Sequence, residues 1–449
     1  MNKLISISYK KIASVHRNVL AKKNNGGTTE AFSYLYEKTK SYLIFFLWFT
    51  LTIPFAFIIV AIRPIVKIYL VMLETSRIGH FAENTELALI RLNNIPPNKR
   101  ELILYFQESV VCNQQLSRMW KRVLPILPLP FSKLYYEIDK RLIFLLGEKY
   151  RKHPAKIYNA AHFGKDTEGL LAIRKTPYIY FTRKEINQAE ILLEKLGIPR
   201  GEKFVCLLVR DNNYLKIAIG GGVDYWSHHR VRDADINNYK KAALYLAENG
   251  YYVLRMGKHV KEPFIINHPK IIDYANHPLH CDLLDIYLTA NCHFIISTST
   301  GLDCISQLFR RPLLFTDVTP LTNQLQFWYP CVLFIPKKLH DAKRNKTLSF
   351  KEIEKAYTGV SMLEIQESLK KDNIEILPNT EDEILEAVCE MESRVNHQWI
   401  ESEEDQHLHK RFLECYPAAM VKEKYELSKG SIKIKMGTAF TKNNIVLLE

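Results

Sequence analysis

Residues 294–315 switch character several times over a short span. Phe294, Ile295 and Ile296 form an apolar run that reads as a buried strand. Ser297, Thr298, Ser299, Thr300 and Gly301 are small and polar, and Leu302, Ile305, Leu308 and Phe309 restore apolar residues at helical spacing. Arg310-Arg311-Pro312 stops that helix, and Leu313-Leu314-Phe315 begins another strand. Strands separated by helices restrict a chain to α/β folds, because parallel strands need a crossover between them. The same turn can bind phosphate. The first N–H groups of a helix have no partner within it, the helix dipole makes that end electropositive, and Gly301 allows close approach to the backbone. A hydroxyl-rich cap on an ordinary helix is the alternative reading.

The alternation extends in both directions. Residues 204–209, 251–255 and 271–273 read as strands, and residues 237–248 and 283–290 as helices, so a parallel sheet with right-handed crossovers is expected. Ligands of such sheets bind beyond the carboxyl ends of the strands. Arg210, Arg255, Gly257 and the 297–301 turn fall there, with Arg232 in the adjoining loop, and cations converging on a phosphate-type turn predict an anion site. An earlier strand–turn–helix unit runs from residue 68 to residue 92, with titratable residues at its turn, including His80. Strands are further expected at 102–106 and 178–181, and helices at 111–124, 132–149, 184–196, 353–357 and 381–395. Gly197-Ile198-Pro199-Arg200-Gly201 marks a domain boundary.

At 449 residues the chain exceeds one domain, and 47% apolar with 24% charged residues describes a folded protein. The net charge of +14 is unevenly spread: residues 1–40 hold eight Lys/Arg and two Glu, which is +6 ahead of the main apolar stretch. That stretch, residues 42–62, runs for 21 residues without a charge, long enough to span a bilayer core. Pro54 would kink it, and Arg63 and Lys67 put positive charge beyond it. A single span, a re-entrant helix and an apolar helix docked on the first domain all fit; membrane association is the expectation. Asn24-Asn25-Gly26-Gly27 reads as a flexible break in the basic arm. No zinc-finger spacing, aromatic RNA-binding signature or dense basic helix points to nucleic acid. The eight cysteines are scattered without a C-x-x-C pair, as buried free thiols of a reducing compartment would be.

Several strings resemble a family of bacterial surface-carbohydrate glycosyltransferases. They are the run from Ser76-Arg77-Ile78-Gly79-His80 to Glu86, Val209-Arg210-Asp211 with Tyr214-Leu215, Arg232-Asp233-Ala234-Asp235-Ile236, residues 250–257, Ile272-Asp273-Tyr274-Ala275, Asp285-Ile286-Tyr287-Leu288, Ser299-Thr300-Gly301-Leu302 and the ending 437–448. The resemblance runs from about residue 68 to the end. It implies an α/β, GT-B-like fold: two Rossmann-like domains with parallel sheets facing across a cleft, here preceded by a basic arm and an apolar membrane-type helix. The expected segments are 1–40 (arm), 41–66 (membrane-associating), 67–200 (acceptor domain), 201–380 (nucleotide-sugar donor domain) and 381–449 (helical tail packing back). Residues 283–315 are also similar to the donor half of heptosyltransferases, but Ser299 stands where those carry aspartate and Cys304 where they carry histidine.

The implied activity is inverting, metal-independent sugar transfer from a nucleotide-sugar donor to a surface-glycan or lipid-linked acceptor, with no cofactor and no nucleic-acid partner. It would take place on a membrane surface, the cytoplasmic face of the bacterial inner membrane. Such transfer needs a base for the acceptor hydroxyl and positive charge for the departing diphosphate. His80 is the first choice for the base, since an imidazole titrates near neutrality, with Glu83 and Glu86 as alternatives. Donor-binding candidates are Arg210, Arg232, Arg255, Gly257, Ser297, Thr298, Ser299, Thr300 and Gly301. Asp233-Ala234-Asp235 has the spacing of a metal-binding D-x-D motif, but its place before a helix favours capping. Residues 218–230, with Gly220, Gly221, Gly222, Tyr225, Trp226, His228 and His229, read as a loop able to close over the donor. A nucleotide-sugar 2-epimerase of the same fold and an inactive glycan-binding scaffold are the rival readings.

Overall fold

The computed structural model describes the chain except for residues 1, 157–165, 167–168, 212, 215–216, 218–226, 320–330, 358–359, 361–363 and 416–432. Most of the expected donor-closing loop therefore lies outside the described residues, as do the side chains of His228 and His229. The described chain divides into two compact units. One comprises residues 1–70, 98–104 and 130–153, and the other residues 71–97, 105–129 and 154–449.

The first unit is helical in substance. One helix runs from Asn2 to Ala61, straight through Asn24–Gly27 where a break was expected; two glycines weaken a helix by about 1 kcal/mol each without forbidding it. Among the described residues its portion Thr28–Ala61 is the one segment long and apolar enough to cross a membrane. The helix Ser132–Arg151 packs against it. Strands β1 (Lys67–Leu73) and β2 (Glu101–Gln107) pair as a two-stranded sheet. Near its end the Leu70 N–H donates to the Tyr150 hydroxyl at 3.1 Å.

The second unit is built on a seven-stranded sheet: β3 (Phe204–Leu208), β4 (Tyr252–Arg255), β5 (Ile271–Ile272), β6 (Ile295–Ser297), β7 (Leu313–Val318), β8 (Val332–Pro336) and β12 (Lys435–Met436). Every pair is parallel, in the order β12-β8-β7-β6-β3-β4-β5. This is the Rossmann order extended by an edge strand. The central strands are apolar on both faces, and β3, β6, β7 and β8 are buried throughout, as a sheet covered by helices on two sides requires. A small antiparallel sheet of β9 (Lys338–Asp341), β10 (Lys346–Thr347) and β11 (Ile374–Leu377) lies beside it in sequence.

The class is α/β, as read from the sequence, with a parallel Rossmann-ordered sheet and an apolar N-terminal helix. Among the described residues of the N-terminal part, β1 and β2 pair with each other, and Tyr105 of β2 makes an isolated parallel bridge to Ile126. The run at 178–181, expected as a strand, joins no sheet among the described residues. Its Tyr178 N–H donates to Glu86, the Tyr178 ring stacks under Arg174 at 3.7 Å, and the Tyr180 carbonyl accepts from Arg122 at 2.6 Å. Side chains anchor it where a strand ladder was expected. The expected segments 201–380 and 381–449 belong to one unit because β12 adds to the sheet edge and Phe412 packs on Phe334 at 5.5 Å.

Candidate functional site

At the carboxyl end of the sheet, β3 and β6 lie side by side with Leu208 opposite Ser297. The chain runs from β3 outward through β4 to β5 and returns to β6 on the other flank of β3, so the strand order reverses here. The crevice at such a reversal is where parallel sheets bind ligands. Arg210 follows β3 and donates its backbone N–H to Thr298 Oγ1 at 2.8 Å, while Thr298 N–H donates to the Leu208 carbonyl at 3.1 Å. Arg232 donates from Nη2 to the Ser299 carbonyl at 2.5 Å.

Two guanidinium groups are thus crowded beside one turn. Burial, and then the Arg210 charge, push the pKa of Arg232 down to about 9. Burial also lowers Arg210, against the opposing pull of Asp233, whose Oδ1 lies 3.4 Å from Arg210 Nε. Among the described residues, Arg210 Nη2, Arg232 Nε, Arg255 Nε and Thr300 Oγ1 are buried without a hydrogen-bond partner. Buried polar groups are normally satisfied, and four unsatisfied groups at one end of a sheet, three of them cationic, are what an anionic ligand would satisfy.

Arg255 ends β4, is 1% exposed and pairs with Asp273 at 3.4 Å. It lines a cleft of about 420 Å³ together with Asp211, Arg230, Asp233, Lys261 and Lys337. That volume lies in the range of nucleotide-sized ligands. The lining mixes cations suited to phosphate with carboxylates suited to hydroxyls. Gly257 has a backbone role: its φ is 139°, and an added Cβ would sit 2.8 Å from Val260 Cγ1.

The 297–301 turn is more self-contained than the sequence suggested. Ser297 Oγ donates to Asp303 Oδ2 at 2.6 Å, Ser299 N–H donates to Ser297 Oγ at 3.1 Å, and Thr300 N–H donates to Asp303 Oδ2 at 2.8 Å. Asp303 is buried, its pKa raised to about 6 by that burial. The helix behind the turn, Asp303–Leu308, has six residues. Ser297, Thr298 and the Ser299 and Thr300 N–H groups therefore cap and brace the turn, and the free donors around it are arginine N–H groups and the Thr300 hydroxyl. Ser299 itself is held at φ 60°, a left-handed conformation in which a non-glycine residue is strained.

Gly301 explains the turn's other constraint. An added Cβ there would lie 3.2 Å from Gly79 N, and one on Gly79 would lie 3.0 Å from Gly301 Cα and 3.3 Å from Cys304 Sγ. The two glycine turns touch backbone to backbone, which only glycine permits on both sides. Past Gly79 the chain makes a π-helical turn, His80–Asn84, before the regular helix Thr85–Asn93. Such single π turns are uncommon and often mark functional sites.

On this second turn the three expected catalytic residues separate. His80 is half-buried, and burial, then Arg77, lower its pKa to about 4, so the imidazole is neutral at physiological pH and a weak base. Glu83 is 2% exposed and accepts from Cys304 Sγ at 3.2 Å. Glu86 is fully buried, accepts the Tyr178 N–H at 3.2 Å and lies 3.9 Å from Arg310. Glu83 and Glu86 therefore brace the turn from behind.

A residue the sequence reading passed over stands beside His80. Glu74 directly follows β1 ahead of the turn, with Oε2 3.3 Å from Asn84 Nδ2 and 3.9 Å from His80 Nδ1; Asn84 Nδ2 is also 3.3 Å from that imidazole nitrogen. Burial, then the neighbouring Glu108, raise the Glu74 pKa to about 7, with Arg77 and Asn84 opposing. Glu108 is fixed by accepting the Ser76 N–H at 2.7 Å. Arg77 and Lys337 are further charged residues of the site that received no role from the sequence. Asp235 caps the following helical turn by accepting the Asn237 N–H at 2.9 Å. Among the described residues no group of three or more His, Cys, Asp or Glu is placed to share a metal ion.

No family model and no curated protein matches the sequence. Among solved structures the chain is similar to an E. coli ADP-heptose lps heptosyltransferase II, at 13% identity over 68% of this chain and 98% of that one, with a TM-score of 0.34. It is also similar to a glycosyl transferase family 9 protein from Veillonella parvula DSM 2008, at 10% identity over 68% and 96% of the two chains, with a TM-score of 0.39.

Proposed function

We propose that the chain is a glycosyltransferase that moves a sugar from a nucleotide-sugar donor to a surface-glycan or lipid-linked acceptor, inverting the anomeric centre and working at the cytoplasmic face of the inner membrane. The observation that carries this reading is the half-buried pair Arg210 and Arg232 at the strand-order reversal, with buried unsatisfied N–H groups, whose chain neighbours Val209, Asp211, Val231 and Asp233 line a cleft of about 420 Å³ together with Arg255. The nucleotide lies along the cleft and its diphosphate meets Arg210, Arg232 and Arg255. These cations stabilise the charge that builds on the leaving diphosphate, the role a metal ion has in other sugar transferases. On the facing turn Glu74 takes the proton of the acceptor hydroxyl as that oxygen attacks the anomeric carbon. A carboxylate whose pKa is about 7 is matched to that task. His80, neutral beside it, orients the carboxylate through Asn84 in place of acting as the base.

A thermal-shift screen against nucleotide sugars and free nucleoside diphosphates tests the reading, since a ligand that binds the folded state raises its melting temperature by mass action. A shift with at least one nucleotide sugar, absent in an Arg210→Ala and Arg232→Ala double variant, is expected. Shifts that survive the double variant would move the donor elsewhere.

A further inference from the structure

The apolar stretch 42–62 does not stand alone. Thr52 and Ala56 on one side of it are fully buried, and Phe45 and Phe49 of the same side lie under the Arg141 guanidinium at 5.1 and 4.8 Å. Arg141 belongs to the helix Ser132–Arg151, is almost wholly buried, and pairs with Glu137 at 3.2 Å; Glu137 also holds Lys133 at 3.2 Å and Lys140 at 2.9 Å. The opposite side of the stretch is bare: Leu43, Phe46, Leu47, Phe57 and Ile58 are all more than half exposed. Phe144, on the companion helix, is 61% exposed.

A helix that crosses the bilayer at residues 42–62 would carry this companion in with it. Near the bilayer centre each ionised Lys, Arg or Asp costs roughly 2.5–3.5 kcal/mol, and the first half of the companion carries Lys133, Glu137, Asp139, Lys140 and Arg141. A helix lying in the interface plane incurs no such cost, because its apolar face sinks into the acyl boundary while charges stay level with the headgroups. Lys133 and Lys140 sit over the Tyr136 ring at 5.4 and 5.0 Å, an aromatic–cation arrangement suited to that depth. The arm before residue 41 adds eight Lys/Arg against two Glu, a charge complementary to anionic lipid.

We propose that the helix pair Asn2–Ala61 and Ser132–Arg151 is an in-plane docking surface for an anionic phospholipid bilayer, with residues 42–62 lying along the interface and not crossing it. The inference rests on the membrane part of the proposed function. It places the N-terminal arm on the same side of the membrane as the rest of the chain.

The test is made on the full chain carrying a cleavable tag at each end. Binding is measured by flotation with vesicles of phosphatidylcholine alone or with about one third phosphatidylglycerol. Sidedness is measured by protease treatment of sealed inside-out membrane vesicles from expressing cells. The expected result is at least about tenfold stronger flotation with the anionic lipid, given about 1 kcal/mol per basic residue near the surface, and cleavage of both tags from one side. Protection of the N-terminal tag with cleavage of the C-terminal one overturns the in-plane arrangement and leaves membrane association standing. Absence of flotation with either lipid, with the protein forming dimers through the bare apolar face, overturns membrane association itself. A Phe46→Glu and Leu47→Glu variant that floats as well as wild type also overturns the docking surface.

Discussion

The turns at 76–80 and 297–301 are built alike, but the first stands beside the carboxyls Glu74 and Glu108 and the second beside the guanidinium groups of Arg210 and Arg232. Each follows a strand, each opens a helix, and each meets the other through a glycine whose missing side chain lets the backbones touch. Around Gly301 burial crowds Arg210 and Arg232 and weakens their hold on protons; around Gly79 burial and Glu108 crowd Glu74 and strengthen its hold. In the proposed function the same physical effect, desolvation of like charges, prepares one turn to receive an anion and the other to receive a proton. Sugar transfer needs both, since a proton leaves the acceptor while negative charge grows on the diphosphate.

The largest expected effect falls on the proton side. Glu74→Gln should lower kcat by about 10²–10⁴-fold, the usual worth of a positioned base, with the fold intact by melting temperature. Near-normal turnover would return the role to His80. The pH profile sharpens the same point: a base must be ionised, so kcat of the wild type should fall as pH drops below about 7, where Glu74 takes up its proton. If His80 were the base, activity would persist down to about pH 4.

A smaller effect concerns the contact itself. In Gly79→Ala the new Cβ would sit 3.0 Å from Gly301 Cα, backbone that cannot swing aside, so a loss of about 1–3 kcal/mol in urea unfolding is expected. An unchanged midpoint would mean the two turns do not touch in solution. An effect of similar size separates Glu86 from the proposed base Glu74. Burial raises Glu86 from 4.5 to about 7, so the folded state holds this proton more tightly than the unfolded state does. Wild type should lose stability relative to Glu86→Gln as pH rises from 4.5 to about 7, by up to about 3 kcal/mol, and should show no further change above that. A constant difference across that range would show Glu86 ionised in the folded protein.

The sheet was legible in the sequence because its strands are continuous apolar runs between glycine or proline punctuation, and the helix Glu381–Val395 has the bounds its pattern predicts. The placement of Arg210 and Arg255 at the strand ends was legible for the same reason: once the strands are placed, their ends are placed with them. Glu74 was not. Its proton affinity depends on Glu108, on Asn84 and on burial, and none of these is adjacent to it in sequence. The self-capping of the 297–301 turn did leave a signal, since Asp303 stands three residues after Thr300, the spacing of a capping carboxylate. The segment at 178–181 left none: its apolar pattern is that of a strand, and its tether to Glu86 and Arg122 comes from elements far away in the chain.

The division of labour between the two turns is tested most directly by calorimetric titration of a nucleoside diphosphate into wild type, Arg232→Ala and Glu74→Gln. A charge-assisted contact to phosphate is worth about 1.5–3 kcal/mol. Arg232→Ala should therefore bind roughly 10- to 150-fold more weakly, while Glu74→Gln binds as wild type does. Equal affinity in all three proteins, or a comparable loss in Glu74→Gln, would contradict the assignment of anion to one turn and proton to the other.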